Sequence, residues 1–220
     1  MLMKTPELVI FDMDGTMLDT EPIYLDGWRA AISEQGIAMS GELFDDIFTK
    51  VIGLNVENCR KIITENIINF DFDRGFEVNT AYRDNYISTY GVPIKPGLFE
   101  LLGKLEWLNS KKAVATSSRS ARAIPKLTIA NLAHCFDAIV CGDEVENGKP
   151  APDIFLRAAA LCGVAPENCL VLEDSAAGVK AGLNAGMPVI LIPDILPPDE
   201  ETSRMASQVC KNLYEVAKIL

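Results

Sequence analysis

The stretch that decides the fold runs from residue 8 to residue 16 and reads Leu-Val-Ile-Phe-Asp-Met-Asp-Gly-Thr. Its first four residues form a continuous apolar run, which is typical of a β-strand buried on both faces. Asp12 and Asp14 follow at once, and Gly15 permits a tight change of backbone direction. Side chains two residues apart on a strand point to the same side. The stretch therefore predicts a buried strand that ends in a pair of acidic side chains.

Strand-like and helix-like segments alternate along most of the remaining chain. Four further apolar runs resemble the first, at residues 113–115, 138–141, 170–172 and 189–192. Segments with helical spacing of apolar residues lie beside them, at residues 98–108, 120–132, 152–162, 175–185 and 213–220. Pro152 and Ser175 are helix-start signals, whereas Pro125 is expected to delay the start of its helix until Ile124. This alternation predicts an α/β fold, a doubly wound parallel sheet with helices on both faces.

Residues 20–90 break this alternation. Apolar residues recur there at helical intervals, and no convincing strand pattern occurs. We therefore predict an inserted α-helical domain at residues 20–90 and an α/β core domain formed by residues 1–19 and 91–220. Tyr24 and Trp28 lie one turn apart in the insertion, and packing within that domain is favoured over contact with a substrate.

Composition and charge exclude several classes of protein. The chain has 220 residues, of which 49% are hydrophobic and 23% charged, as in a folded globular protein. Its 31 acidic residues against 20 basic ones give a net charge of −11, which disfavours binding to nucleic acid or to an acidic membrane surface. Six scattered cysteines and the single His134 lack the spacing of a zinc site or a disulfide framework, so buried reduced cysteines are expected. With no membrane-length apolar run and no secretory signal pattern, a cytoplasmic location is expected.

Polar side chains follow the predicted strands, at the edge where a parallel sheet binds its ligands. They are Asp12 and Asp14, then Thr116, Ser117 and Ser118, then Asp143 with Lys149 in the next loop, and finally Glu173 and Asp174. Carboxylates this close cannot all ionise at neutral pH without a cation, and an open site rich in oxygen ligands suits Mg²⁺ better than zinc. A magnesium site is therefore predicted at this edge.

These residue types suit phosphoryl transfer. A carboxylate beside Mg²⁺ can attack phosphorus to form an aspartyl phosphate, while a second carboxyl group protonates the leaving oxygen and later takes a proton from water. Thr116 and the backbone N–H beyond it can hold phosphoryl oxygens, and Lys149 can balance the negative charge. The glycine-rich lysine loop of nucleotide-binding ATPases is absent from the sequence, which excludes that class.

Four ordered motifs, at residues 12–16, 116–117, 148–153 and 173–175, carry a family resemblance. They read Asp-Met-Asp-Gly-Thr, Thr-Ser, Gly-Lys-Pro-Ala-Pro-Asp and Glu-Asp-Ser, and they resemble the motifs of the haloacid dehalogenase superfamily. The helical insertion resembles the small helical cap of the subfamily that contains β-phosphoglucomutase and many sugar-phosphate phosphatases. The resemblance spans nearly the whole chain and implies a Rossmann-like core with an inserted α-helical cap domain.

The resemblance also implies catalytic roles. Asp12 would be the nucleophile and Asp14 the general acid and base. The presence of Asp14 favours phosphoryl chemistry, because the dehalogenases of the superfamily lack this second aspartate. Thr116 and Ser117 would bind the phosphoryl group, and Lys149 would bridge it to the nucleophile.

The ligands of Mg²⁺ follow from the same resemblance. Asp12, the backbone carbonyl of Asp14 and the carboxylate of Asp174 would hold the cation. Glu173 would lie outside these direct ligands and order a water molecule beside the metal.

Three positions separate the chain from β-phosphoglucomutase. That enzyme has valine after the motif glycine, a histidine twelve residues beyond its nucleophile, and an arginine three residues beyond a glycine of the cap loop. Here these positions hold Thr16, Tyr24 and, with Gly53 as the loop glycine, Val56. Without that arginine there is no evident bidentate grip on the second phosphate of a bisphosphate intermediate, so hydrolysis is favoured. Thr20 matches the mutase hinge, which indicates that the cap opens and closes.

The function predicted from the sequence is Mg²⁺-dependent hydrolysis of a small phosphomonoester, such as a sugar phosphate, through an aspartyl-phosphate intermediate. The expected partner is thus a small phosphorylated metabolite. A β-phosphoglucomutase-like mutase is the alternative. Lys50 could contact the leaving group from the cap, although an exposed lysine at a helix end is an equally good interpretation.

A second alternative comes from another class, a catalytically silent phosphate-binding or signalling module. Phosphorylated receiver domains combine similar residues, but they are much shorter and lack a helical insertion. A silent site would be expected to lose Asp12, Asp14, Lys149 or Asp174, and all four are present. No heptad or apolar edge marks an interface, which is typical of a monomer or a weak homo-oligomer.

Overall fold

The structure is a computed structural model that describes residues 5–52 and 56–220. The contacts within the chain divide it into two compact units. One contains the residues up to Asp19 and those from Val92 onward, and we call it the α/β unit. The other runs from Thr20 to Gly91, and we call it the helical unit.

A single parallel sheet forms the centre of the α/β unit, with the strand order β3-β2-β1-β4-β5-β6. The strands are β1 (Leu8–Phe11), β2 (Lys111–Thr116), β3 (Ala138–Cys141), β4 (Cys169–Glu173), β5 (Val189–Leu191) and β6 (Gln208–Val209). Leu8 lies beside Lys111 on one side and Cys169 on the other, so β1 is central. All of β1 is buried, as predicted. The predicted fold class is confirmed, and β6 is an additional strand whose two exposed residues carry no apolar pattern.

Four α-helices and a short 3₁₀ helix, Thr49–Val51, form the described part of the helical unit. The α-helices are the larger elements. They are α1 (Glu21–Glu34), α2 (Gly41–Phe48), α3 (Val56–Asn66) and α4 (Phe72–Tyr90). Trp28 is fully buried, and its ring lies 5.6 Å from those of Phe48 and Phe72. Tyr24 packs edge-on against Trp28 at 5.9 Å, and its hydroxyl lies 3.8 Å from Cys59 Sγ. Both residues therefore pack inside this unit, as predicted, and its described part contains no strand.

The remaining helices belong to the α/β unit. They are α5 (Leu98–Trp107), α6 (Ser120–Ile129), α7 (Asp153–Cys162), α8 (Ala176–Asn184), α9 (Glu200–Met205) and α10 (Leu213–Ile219). The predicted cap of α8 is confirmed, because Ser175 Oγ accepts from the N–H of Gly178 at 3.0 Å. The short helix α9 follows a stretch that contains Pro193, Pro197 and Pro198. Asp199 caps it by accepting from the N–H of Thr202 at 2.7 Å.

The prediction that Pro125 delays the start of α6 is wrong. The helix begins at Ser120, and the N–H of Ala123 donates to the carbonyl of Arg119 at 2.9 Å. Asp143 stabilises this first turn, since its two oxygens accept from the N–H and the hydroxyl of Ser120 at 2.8 and 2.7 Å. Pro125 therefore removes one backbone donor from a helix whose first turn is already held in place.

Across the described residues, no helix is both long and apolar enough to cross a membrane. No disulfide bond is formed in this part of the chain. Five of the six cysteines are buried, and Cys135 is intermediate. This agrees with the expectation of buried reduced cysteines.

Candidate active site

Three adjacent strands bring the predicted polar residues to one edge of the sheet. Asp12 follows β1 directly, Thr116 is the last residue of β2, and Glu173 is the last residue of β4. The N–H of Asp12 donates to the carbonyl of Leu172 at 2.9 Å, so the pairing of β1 with β4 continues to the site. Because parallel strands end at the same edge, these side chains meet although they lie far apart in the sequence.

Lys149 joins the ends of the strands. Its ammonium group donates to Asp12 Oδ1 at 2.5 Å, to Glu173 Oε1 at 2.6 Å and to the carbonyl of Ala115 at 3.1 Å. These three bonds use its three N–H donors. Burial would lower the pKa of Lys149, but the charges and hydrogen bonds of Asp12 and Glu173 raise it above its ordinary value. The lysine is therefore a fixed positive charge at the centre of the site.

The surroundings of the carboxyl groups beside Lys149 disfavour their ionised forms. Burial raises the pKa of Asp12 to about 7, with Lys149 opposing the rise and Glu173 adding to it. Burial also raises the pKa of Asp174, and the negative charges of Glu173 and Asp12 raise it further. One lysine does not neutralise this group of acids, so the site favours either protons or a further cation.

Glu173 is fully buried and tied to the start of α8. Its Oε2 accepts from the N–H of Asp174, the N–H of Ser175 and the hydroxyl of Ser175, each at 2.9 Å. The backbone of Gly178 passes directly against the carboxylate, and a Cβ atom on Gly178 would overlap its oxygens. The glycine is therefore required for α8 to pack over Glu173.

Asp14 is held by two donors that do not contact Asp12 or Glu173. Lys126 of α6 approaches Asp14 Oδ1 at 2.6 Å, and the hydroxyl of Ser118 donates to Asp14 Oδ2 at 3.0 Å. The Lys126 side chain is mostly buried. No pattern in the sequence singles out Lys126, because its contact depends on which face of α6 meets the sheet edge.

Four hydroxyl residues, Thr16, Thr116, Ser117 and Ser118, lie at the same edge. Thr116 Oγ1 accepts from the N–H of Ser118 at 3.0 Å, which leaves its own proton available to a ligand. Ser117 lies between them and is exposed. Thr16, noted in the sequence only as a difference from the mutase, is fully buried and donates to Asp174 Oδ1 at 3.3 Å.

Two residues that the sequence suggested for the site, Asp143 and Lys50, have contacts elsewhere. Asp143 caps α6 and is exposed, so it does not join the acidic group at the strand ends. Lys50 belongs to the helical unit, is 53% exposed and forms an ion pair with Asp46 at 3.0 Å. Gly53, taken as the loop glycine of the cap, lies outside the described residues. Val56, three residues later, is the exposed first residue of α3.

The acidic group fits a cation without forming a complete cage of side chains. Within residues 5–52 and 56–220, no three His, Cys, Asp or Glu side chains converge as a ready metal site. The predicted set needs only two carboxylates, of Asp12 and Asp174, with the backbone carbonyl of Asp14. A further buried oxygen, Oδ2 of Asp194, has no hydrogen-bond partner among the described residues. Unsatisfied carboxylate oxygens of this kind suit a hard cation and its water.

Comparison with known proteins defines the family. The sequence model of the haloacid dehalogenase-like hydrolases matches residues 6–186. The chain belongs to this family, as the four motifs predicted.

Individual relatives agree with the predicted enzyme class. A phosphorylated carbohydrates phosphatase of Thermotoga maritima is 32% identical over 82% of this chain and 82% of its own length. A fructose-1-phosphate phosphatase of Escherichia coli is 33% identical over 83% of this chain and 94% of its own length. The crystal structure of a β-phosphoglucomutase from Clostridium difficile superimposes with a TM-score of 0.71 at 26% identity, covering 96% of this chain and 93% of that one. The prediction of a phosphatase hydrolase with a β-phosphoglucomutase-like fold is confirmed.

The packing of α8 over Glu173 gives a first prediction. Gly178→Ala is expected to lower the free energy of unfolding by about 1–3 kcal/mol, because the carboxylate that the new Cβ meets is locked by its hydrogen bonds. The matched control is Gly103→Ala in α5, where a Cβ would meet nothing within 4 Å. That change is expected to raise stability by up to about 1 kcal/mol, as alanine does inside a helix. Urea unfolding of both variants measures the difference, and equal effects would contradict the described packing.

Proposed function

We propose that this protein is a Mg²⁺-dependent phosphatase that hydrolyses a small phosphomonoester through an aspartyl phosphate on Asp12. One observation carries the proposal. A buried lysine ammonium joins Asp12 to Glu173 at the ends of two adjacent strands, beside the acidic Asp174. This arrangement combines a fixed carboxylate with a positive charge, as attack on a phosphoryl group requires.

Asp12 is the proposed nucleophile. Lys149 holds its Oδ1 by a hydrogen bond, which fixes the carboxylate at the end of β1. An oxygen of Asp12 would attack phosphorus and form a new O–P bond, while the bond from phosphorus to the leaving oxygen breaks. Water would then attack the phosphorus of the aspartyl phosphate, releasing phosphate and restoring the Asp12 carboxylate.

Asp14 is the proposed proton carrier. Its carboxyl group would give a proton to the leaving oxygen in the first step and take one from the attacking water in the second. Both of its oxygens accept hydrogen bonds from Ser118 and Lys126, so its side chain starts from a defined position. Lys126 thus acts as a positioning residue for Asp14 in this proposal.

Phosphate binding is assigned to Thr116 and Ser117 as donors and to Lys149 as the nearby positive charge, since the three N–H donors of Lys149 already have partners. The Thr116 hydroxyl proton and the N–H groups of the loop after β2 would donate to phosphoryl oxygens. The negative charge of the whole chain makes this local set of donors necessary for an anionic substrate.

Mg²⁺ would be held by Asp12, Asp174 and the backbone carbonyl of Asp14. When bound, it would supply positive charge that offsets the acidic side chains and the phosphoryl oxygens. The raised pKa values of Asp12 and Asp174 support this assignment, since burial and mutual repulsion leave these groups in need of a cation.

A sugar phosphate or similar metabolite is the proposed substrate. The phosphatases from Thermotoga maritima and Escherichia coli support this class, because their names give phosphorylated carbohydrates and fructose 1-phosphate as substrates. We propose that residues 20–90 act as a cap, so that the enzyme accepts small phosphorylated molecules rather than phosphoproteins. The cytoplasmic location and the monomeric or weakly homo-oligomeric state stay predictions from the sequence.

A mutase reaction is the second candidate, favoured by the structural similarity to a β-phosphoglucomutase. Val56 weighs against it, because an exposed valine cannot grip a second phosphate as arginine does. Assays of β-glucose 1-phosphate for both phosphate release and conversion to glucose 6-phosphate separate the two candidates.

Replacing the nucleophile tests the reaction. Asp12→Asn is expected to lower kcat at least about a thousand-fold in a phosphate-release assay with Mg²⁺ and a panel of sugar phosphates. The circular dichroism spectrum should be unchanged, since asparagine has nearly the same shape. Asp84→Asn, at an exposed position of α4, is the matched control and should retain full activity. Equal rates for Asp12→Asn and wild type would exclude the mechanism.

The contact between Lys126 and Asp14 predicts a second kinetic effect. Lys126→Met is expected to lower kcat by about 10-fold, a fraction of the 10²–10⁴-fold that a positioned acid or base contributes. KM should change little, because Lys126 binds Asp14 rather than the predicted phosphate ligands. Lys211→Met changes an exposed lysine and serves as the control. A wild-type kcat for Lys126→Met would mean that the contact has no part in catalysis.

Removing the metal tests the cofactor. EDTA is expected to abolish phosphate release, and added MgCl₂ should restore it. Mg²⁺ should also raise the Tm of the wild type, since a ligand at 100 times its Kd stabilises the folded state by about 2.7 kcal/mol. Asp174→Asn should largely remove this rise in Tm. Full activity in EDTA would contradict the assignment of Mg²⁺.

A further inference from the structure

Asp194 lies in the α/β unit just beyond β5, outside the four motifs that carry the family resemblance. Only 7% of its side chain is exposed. Its Oδ1 is paired with the ammonium group of Lys95, which also binds Asp19 Oδ1 at 2.9 Å. The N–H of Lys95 donates to the carbonyl of Met17 at 2.8 Å. The Asp194 carboxylate is therefore held firmly by one oxygen.

The second oxygen of Asp194 is buried without a hydrogen-bond partner among the described residues. A buried carboxylate oxygen left without a donor is costly, so a structure rarely retains one unless a ligand or water completes it. Burial and the nearby Asp19 raise the pKa of Asp194, against the effect of Lys95. Lys95 therefore offsets only part of the cost of burying the Asp194 carboxylate.

This oxygen points toward the predicted metal site. A Cβ atom built on Gly15 would lie 3.2 Å from Asp194 Oδ2 and would overlap Asp174 Oδ2. The two carboxylates thus flank the same point of the backbone, immediately after the carbonyl group of Asp14. The charge of Asp194 also contributes to the raised pKa of Asp174.

We propose that Asp194 is a positioning residue of the metal site, and that its Oδ2 accepts a hydrogen bond from a water molecule in the hydration shell of Mg²⁺. The inference rests on the proposed function, because it assumes that Mg²⁺ binds at Asp12 and Asp174. Mg²⁺ dehydrates reluctantly and keeps several waters when bound to proteins. Those waters are strong donors, and Asp194 Oδ2 is a buried acceptor that lacks one.

Glu173, another acid at this edge, already has partners for both of its oxygens. Glu173 uses Oε1 for Lys149 and Oε2 for three donors from Asp174 and Ser175. Lys95 donates to one oxygen of Asp194, as Lys149 donates to one oxygen of Asp12. In Asp194 the second oxygen is left for a ligand of the site.

The test compares Mg²⁺ binding to the substrate-free wild type and Asp194→Asn by isothermal titration calorimetry with MgCl₂ alone. Asp194→Asn is expected to raise the Kd for Mg²⁺ by about 10-fold, the lower end of the effect of residues that support metal ligands. Its Tm in EDTA should equal or exceed that of the wild type, because the amide keeps an oxygen for Lys95 and relieves repulsion with Asp174. A merely structural role predicts the reverse, a lower Tm in EDTA and an unchanged Kd.

Asp19→Asn is the matched control. It alters the other carboxylate on Lys95, one that is 39% exposed, and should change the Kd for Mg²⁺ less than about 2-fold. If Asp194→Asn does not fold, Asp194→Ser takes its place with the same expected loss of Mg²⁺ affinity. Equal Kd values for wild type and the Asp194 variant overturn this inference and leave the proposed function intact. A wild type that binds no Mg²⁺ overturns both.

Discussion

The ammonium group of Lys149, shared between Asp12 and Glu173, is the contact on which the site depends. It lies where three parallel strands end, and those strands place acidic groups within reach of one another. Without this charge, the buried carboxylates at the ends of β1 and β4 would repel each other strongly. The register of the central strands and the packing of α8 over Glu173 both serve to hold this contact in place.

Lys149 alone does not balance the negative charges of Asp12, Glu173 and Asp174. Asp174 stays strongly perturbed by its acidic neighbours, and Lys95 satisfies one oxygen of Asp194 but leaves the other without a donor among the described residues. The deficit lies at Asp174 and Asp194. A divalent cation held by these acids would join Lys149 in supplying positive charge to a phosphoryl group, which is the electrostatic requirement for attack by a carboxylate.

Apolar strands and their ends are local patterns. For this reason the sequence predicts the buried run of β1 and the polar residues after β1, β2 and β4. It does not predict that Lys126 and Asp194 belong to the site. Lys126 reaches Asp14 through the face that α6 presents, and Asp194 reaches Gly15 through the loop beyond β5. Both contacts depend on tertiary packing, which leaves no local signal. For Asp143 the prediction failed in the opposite way. Its position after β3 placed it among the expected site residues, but its side chain caps α6.

The central claim is that Asp12 becomes covalently phosphorylated during turnover. The most direct measurement quenches the wild type during hydrolysis of a sugar phosphate in Mg²⁺ and treats it with sodium borohydride, which reduces an aspartyl phosphate to homoserine. Mass spectrometry of the peptides should find homoserine at position 12, and the Asp12→Asn variant treated in the same way should yield none. Turnover with unmodified aspartate at position 12, or with homoserine at another aspartate, would contradict the account.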